Sequence, residues 1–96
     1  MRIVVRPAAA ADIDEAFLWY DGQRPGLGHE FLAAAQTLID AVAQYPLRYP
    51  VARRNTRRAL LRRFPYAIYF RIYDEAIVVV ACMHGRRNPR RWQART

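Results

Sequence analysis

The sequence predicts an α+β domain: an N-terminal strand, an antiparallel two-helix hairpin, a three-stranded antiparallel meander and a basic C-terminal tail. Three observations predict it. Apolar residues recur at near-helical spacing as far as Tyr45, and alternation with a period of two takes over from Arg57. An unbroken apolar run then fills Ala76 to Met83. The 96 residues suffice for one domain spanning residues 1–96, with a core small enough that each large buried side chain counts.

Each element has its own signals. Arg2-Ile3-Val4-Val5-Arg6 reads as a short strand stopped by Pro7. A helix follows from Ala8 to about Gly22, entered through Pro7, with Asp12, Asp14 and Glu15 early and Ile13, Ala16, Phe17 and Tyr20 on one side. Gln23 to Gly28 is a turn by composition. A second helix runs to about Tyr45 with Leu27, Phe31, Leu32, Ala35, Leu38, Ile39 and Val42 on one stripe. So short a connection folds the two helices back on each other. Pro46 and Pro50 close that helix, and residues 46–56 read as an irregular link.

In the second half, Arg58, Leu60, Arg62 and Phe64 alternate with Arg57, Ala59, Leu61 and Arg63, which places Arg58 and Arg62 on one strand face. Tyr66, Ile68, Phe70 and Ile72 alternate with Ala67, Tyr69, Arg71 and Tyr73. Asp74-Glu75 is a two-residue turn, and the run from Ala76 is a central strand covered on both faces. The hairpin is expected on one face of the sheet, leaving the other available.

Charge is uneven. The net charge is +8, yet residues 1–47 hold three arginines against six carboxylates, and residues 48–96 hold thirteen arginines against Asp74 and Glu75 alone. A half so basic attracts acidic partners. Every cation is Arg, whose planar fork suits carboxylates and phosphates; base composition accounts equally well for the missing Lys, but not for the clustering. Cys82 lies inside the apolar run and reads as a buried small hydrophobe, with no disulfide and no metal site implied. The longest apolar run is far short of the ~20 residues that span a bilayer, and Met1-Arg2 opens no signal peptide. A cytoplasmic protein is expected.

Four segments carry a resemblance: Asp12-Ile13-x-Glu15-Ala16 with Trp19-Tyr20; Pro25-Gly26-Leu27-Gly28-x-Glu30-Phe31-Leu32; Arg63-Phe64-Pro65-Tyr66-x-Ile68-Tyr69; and His84-x-Arg86-Arg87-Asn88-Pro89-x-x-Trp92. In this order and spacing the chain resembles the ParE toxins of the RelE/ParE superfamily. The resemblance implies the toxin of a type II toxin–antitoxin operon, of the kind associated with plasmid stabilisation. It implies a hetero-oligomer with an acidic ParD-like antitoxin, and DNA gyrase as the usual target. An acidic antitoxin segment would meet Arg58, Arg62 and Arg71 on the basic face and Trp19 and Tyr20 at its apolar wall. The target would meet Arg86, Arg87, Arg90, Arg91 and Trp92, with Trp92 packed back as an anchor.

The RelE branch of the superfamily cleaves mRNA on the ribosome. A matching set here would be His84, Arg62, Tyr69 and Arg86. Against it, Gly85 follows His84 where a tyrosine would serve, Lys is absent, and Asp74-Glu75 sits in a remote turn. His84 is accordingly read as a strand-end histidine with a hydrogen-bonding role, and no catalytic set is assigned. His29 has no neighbours at metal spacing, and no metal or other cofactor is expected. Gly26 and Gly28 serve the turn and form no phosphate loop.

Overall fold

The computed structural model describes residues 1–85 and 89–95. Its elements are β1 (Arg2–Val5), α1 (Pro7–Gln23), α2 (Leu27–Gln44), a 3-10 turn at Pro46–Arg48, β2 (Val51–Arg53), β3 (Thr56–Leu60), β4 (Tyr66–Tyr73), β5 (Ala76–His84) and α3 (Pro89–Ala94). The strands form one sheet in the order β1-β5-β4-β3-β2. β1 runs parallel to β5, and the other pairs are antiparallel.

Local chemistry explains the hairpin. Pro7 occupies the first turn of α1, where a missing N–H costs nothing. Between the helices Gly26 adopts a left-handed φ of 92°, which a side chain would strain. Gly28 meets a different demand: a Cβ there would lie 2.6 Å from the Phe17 carbonyl oxygen, so the close approach of α1 and α2 requires its absence. The Asp21 carboxylate accepts the N–H groups of both glycines, at 2.9 and 3.2 Å. The turn is thereby fixed at three points.

Phe31, Ala35, Ile39 and Val42 are the buried stripe of α2, as its periodicity predicts. On α1 the buried stripe is Ala9, Asp12, Ala16 and Tyr20, with Ile13 and Phe17 at its margin. Tyr20, Phe31, Phe64 and Tyr66 form an aromatic cluster with ring centroids 4.8–5.9 Å apart. This cluster and Ile68, Phe70, Ile77 and Val79 from the sheet make the main core.

Three expectations need correction. The link over residues 46–56 is not wholly irregular, because Val51–Arg53 adds an edge strand that pairs with β3. β3 ends at Leu60, not Phe64: the Leu61 N–H donates to the Tyr66 carbonyl at 2.9 Å and closes a loop over residues 61–66. Arg62 stands exposed in that loop and shares no strand face with Arg58. Finally, the second face of the sheet is partly covered. Trp92 of α3 is buried there, stacked on Tyr69 at 4.3 Å with planes 15° apart, above Ala67, Val80, Ala81 and Met83.

A β-bulge makes that second cluster. Tyr69 pairs with Ala81 and Phe70 with Val79, which leaves Val80 as an extra residue. Side-chain parity therefore flips within β5. Ile77, Val79 and Cys82 face the helical hairpin, whereas Val80, Ala81 and Met83 face Trp92.

Candidate partner-binding surfaces

β1 stops at Val5, opposite Val79, and β5 continues five residues further without a strand on that side. Two side chains serve this free edge instead. The Cys82 N–H donates to Asp12 Oδ2 at 3.0 Å, and the Val80 carbonyl accepts from Arg95 Nη1 at 3.2 Å. Arg95 also forks onto Asp12, at 2.6 Å to Oδ2 and 3.3 Å to Oδ1. The buried carboxylate thus satisfies a bulged backbone and pins the end of α3. Burial, and then the Asp12 charge, push the Cys82 thiol up to about 12, so it stays protonated and unreactive.

Beside this edge runs a groove of about 300 Å³ lined by Glu15, Trp19, Tyr66, Met83, His84 and Arg91, among others. Trp19 is 57% exposed on its rim and Leu18, next to it, 68%. Exposed apolar side chains beside an open strand edge are what a docking polypeptide needs. A second recess, about 330 Å³, lies on the other side of Tyr66 and His84 and takes in Arg58 and Leu60.

The residues singled out from the sequence fall in different places. Trp19 and Tyr20 both line the groove, Trp19 largely exposed and Tyr20 mostly buried against Phe31, Phe64 and Tyr66, and burial raises the Tyr20 phenol above the usual value. Arg58 and Arg71 share the face of the sheet turned away from the hairpin, since Arg58 pairs with Tyr69 and Thr56 with Arg71. Arg90 is exposed, and Arg91 reaches to 3.9 Å from Asp12. Trp92 anchors α3 in the sheet and has little surface left for a target. Arg86 and Arg87 lie outside the described residues.

His84, Arg62, Tyr69 and Arg86 do not come together as a described set. Tyr69 is fully buried beneath Trp92, and its hydroxyl finds no hydrogen-bond partner among the described residues. His84 lies on the opposite face, two residues beyond Cys82, with its ring 5.7 Å from that of Tyr66. Arg62 is in the loop beyond β3. Among the described residues no three His, Cys, Asp or Glu side chains cluster as metal ligands, and no helix is long and apolar enough to cross a membrane.

Asp12 was missed as a site residue. Its signal was the spacing Ala9, Asp12, Ala16, Tyr20, which sets a carboxylate in an apolar stripe. Glu30 was also read only as part of a motif. It bridges Arg63 at 2.8 Å and Arg24 at 3.0 Å, tying the start of α2 to the loop after β3, and these bonds lower its carboxyl below the usual value.

Residues 3–89 match the family model described as the ParE toxin of the type II toxin–antitoxin system parDE. The chain belongs to the ParE toxin family. Toxin ParE2 of Mycobacterium tuberculosis is 28% identical over 89 residues, covering 92% of this chain and 85% of that protein. The fold recurs in a chain of the chromosomal ParDE toxin–antitoxin system from P. aeruginosa, with a TM-score of 0.69 and 22% identity over 88% of this chain and 95% of that one. It recurs again in the toxin–antitoxin complex RelBE2 from Mycobacterium tuberculosis, with a TM-score of 0.60 and 21% identity over 86% and 95% of the two chains. For this ParE toxin the order of strand, hairpin and meander read from the sequence is the family's architecture.

Proposed function

We propose that this ParE toxin acts by gripping DNA gyrase in the cytoplasm, and that an acidic ParD-like antitoxin silences it within a hetero-oligomer. The observation that carries the binding reading is the burial of Tyr69 under Trp92, on the opposite face from His84. A proton-transfer pair must reach the same phosphate, and these two side chains are separated by the sheet. What the molecule offers instead is exposed arginines and a groove of mixed character, apolar at Trp19 and Met83 and charged at Glu15 and Arg91. An antitoxin segment laid along the groove would place apolar side chains against Trp19 and an acidic one toward Arg91, and another part of it would meet the arginines of the sheet. Arg90, with Arg86 and Arg87 by their charge in the sequence, is proposed to meet the target.

The relatives support the antitoxin half of this reading through the names they carry: ParDE and RelBE2 are toxin–antitoxin systems. The test is a supercoiling assay with folded, antitoxin-free protein in excess over gyrase. Inhibition or accumulation of cleaved complexes is expected, relieved by the polypeptide of the adjoining reading frame. Cuts at the ribosomal A site of translated mRNA, lost in His84→Ala, would overturn the proposal in favour of RelE-type cleavage.

A further inference from the structure

The outer face of the sheet holds a polar cluster far from the groove. Val4, Val78 and Arg71 lie in one row across β1, β5 and β4. Arg6 follows Val4 by two residues in extended backbone, which brings it to the same side. Arg71 is held from two directions: its Nε donates to the Thr56 hydroxyl at 3.4 Å and its Nη1 to the Tyr73 hydroxyl at 3.1 Å. Thr56 is fully buried, so it fixes Arg71 rather than following it. Arg6 bears on the Tyr73 phenol as well, and the phenol is lowered by the hydrogen bond and charge of Arg71 first, then by Arg6.

One guanidinium group, that of Arg71, therefore donates to the Tyr73 hydroxyl, and a second, that of Arg6, follows on the same face. Among the described residues neither has a carboxylate within ion-pair distance, whereas Arg24, Arg63, Arg91 and Arg95 each reach one. Like charges brought together and oriented in advance need a counter-charge. The second Nη of Arg71 is not engaged by Thr56 or Tyr73, and a guanidinium edge takes an oxyanion in charge-assisted bonds.

The surroundings select the oxyanion. Val4 is 39% and Tyr73 41% exposed beside the cluster, an apolar border that suits a polypeptide. Asp74 and Glu75 follow Tyr73 at once in the turn to β5. A nucleic-acid backbone, with its closely spaced phosphates, would be pressed against those two carboxylates. A single acidic side chain would not.

We propose that Arg6, Arg71, Tyr73 and Thr56 form a receptor for one Asp or Glu side chain of a partner polypeptide. The partner is the acidic antitoxin, so its identity rests on the function proposed above. The receptor anchors a part of it that the groove at Trp19 does not hold.

The test uses the full chain with arginine side-chain nitrogens labelled for NMR. Three probes are titrated: the peptide acetyl-Val-Glu-Val-amide, its Gln counterpart, and a short single-stranded DNA. The Glu peptide is expected to shift the Arg71 and Arg6 signals, and the Gln peptide to leave them in place. In R6Q/R71Q, with its backbone spectrum intact, affinity for the Glu peptide should fall about tenfold or more, the value of a charge-assisted bond. Equal responses to the Glu and Gln peptides would overturn the receptor, and so would tighter binding of the DNA at these two residues. In a second arm the antitoxin of the adjoining reading frame is bound to wild type and to R6Q/R71Q. Unchanged affinity in the variant overturns the receptor and leaves the antitoxin reading standing. No binding by wild type overturns the antitoxin reading and the partner's identity, while the peptides still decide whether the carboxylate site exists.

Discussion

The two faces of the sheet are held by different means. The hairpin face is a continuous apolar core of two long helices on β4 and β5, with Phe31, Val42, Ile68 and Phe70 fully enclosed. The outer face relies on one indole, a six-residue helix and an ion pair that reaches around the free edge of β5. Its remaining surface mixes arginines and Tyr73 with the exposed Val4 and Leu60. One face holds the fold together, and the other carries oriented charges at its surface.

Four variants probe that division, from the largest expected effect to the smallest. Phe31→Ala should cost about 3–5 kcal/mol in urea unfolding, because it opens a cavity at the centre of the aromatic cluster. A loss under about 1 kcal/mol would mean that the hairpin face is not the main source of stability. Asp12→Ala should cost about 3 kcal/mol, since it strands the Cys82 N–H and the Arg95 guanidinium together. Hydrogen exchange should then quicken at Cys82 and in α3 before it quickens in α2.

Trp92→Ala should cost about 2 kcal/mol, below the usual loss for a buried indole, because a short terminal helix can detach without unfolding the rest. Near-ultraviolet dichroism should report the lost Tyr69 stack while the far-ultraviolet signal stays nearly constant. A cooperative collapse of the whole chain would show that the two faces are one unit. The smallest effect at neutral pH is that of Cys82→Ala, whose signature is a pH dependence on the hairpin face. The Cys82 thiol titrates near 12 in the folded protein against about 9 in the open chain, so the unfolded state gives up its proton first. Its contribution is intact below pH 9 and is lost as pH rises towards 12. Cys82→Ala should flatten that part of the alkaline stability curve, although the raised Tyr20 phenol leaves a residual slope of the same sign.

The hairpin face was legible in the sequence because periodicity reports burial directly: the stripe from Phe31 to Val42 and the run from Ala76 appear where they were expected. β2 was not, since a three-residue edge strand carrying an arginine has too few positions for alternation to show. The bulge at Val80 was hidden for a related reason. A strand apolar on both faces has no polar position to reveal a change of parity. Tyr69 looked available for chemistry because its alternation with Ile68 and Phe70 places it off the core, and nothing local tells that Trp92 closes over it. The Arg6, Arg71 and Tyr73 cluster depends on three strands in register, which single-strand alternation does not supply.

One feature of the topology bears on how the molecule comes into being. β1 is laid down first, yet its partner in the sheet is β5, and Asp12 waits for Arg95. A chain leaving the ribosome therefore holds an unpaired first strand and an uncompensated carboxylate until β5 and Arg95 have emerged. Poisonous activity that depends on the finished sheet would switch on only once β5 is made and paired, giving a co-expressed antidote the interval between β1 and β5 to gather.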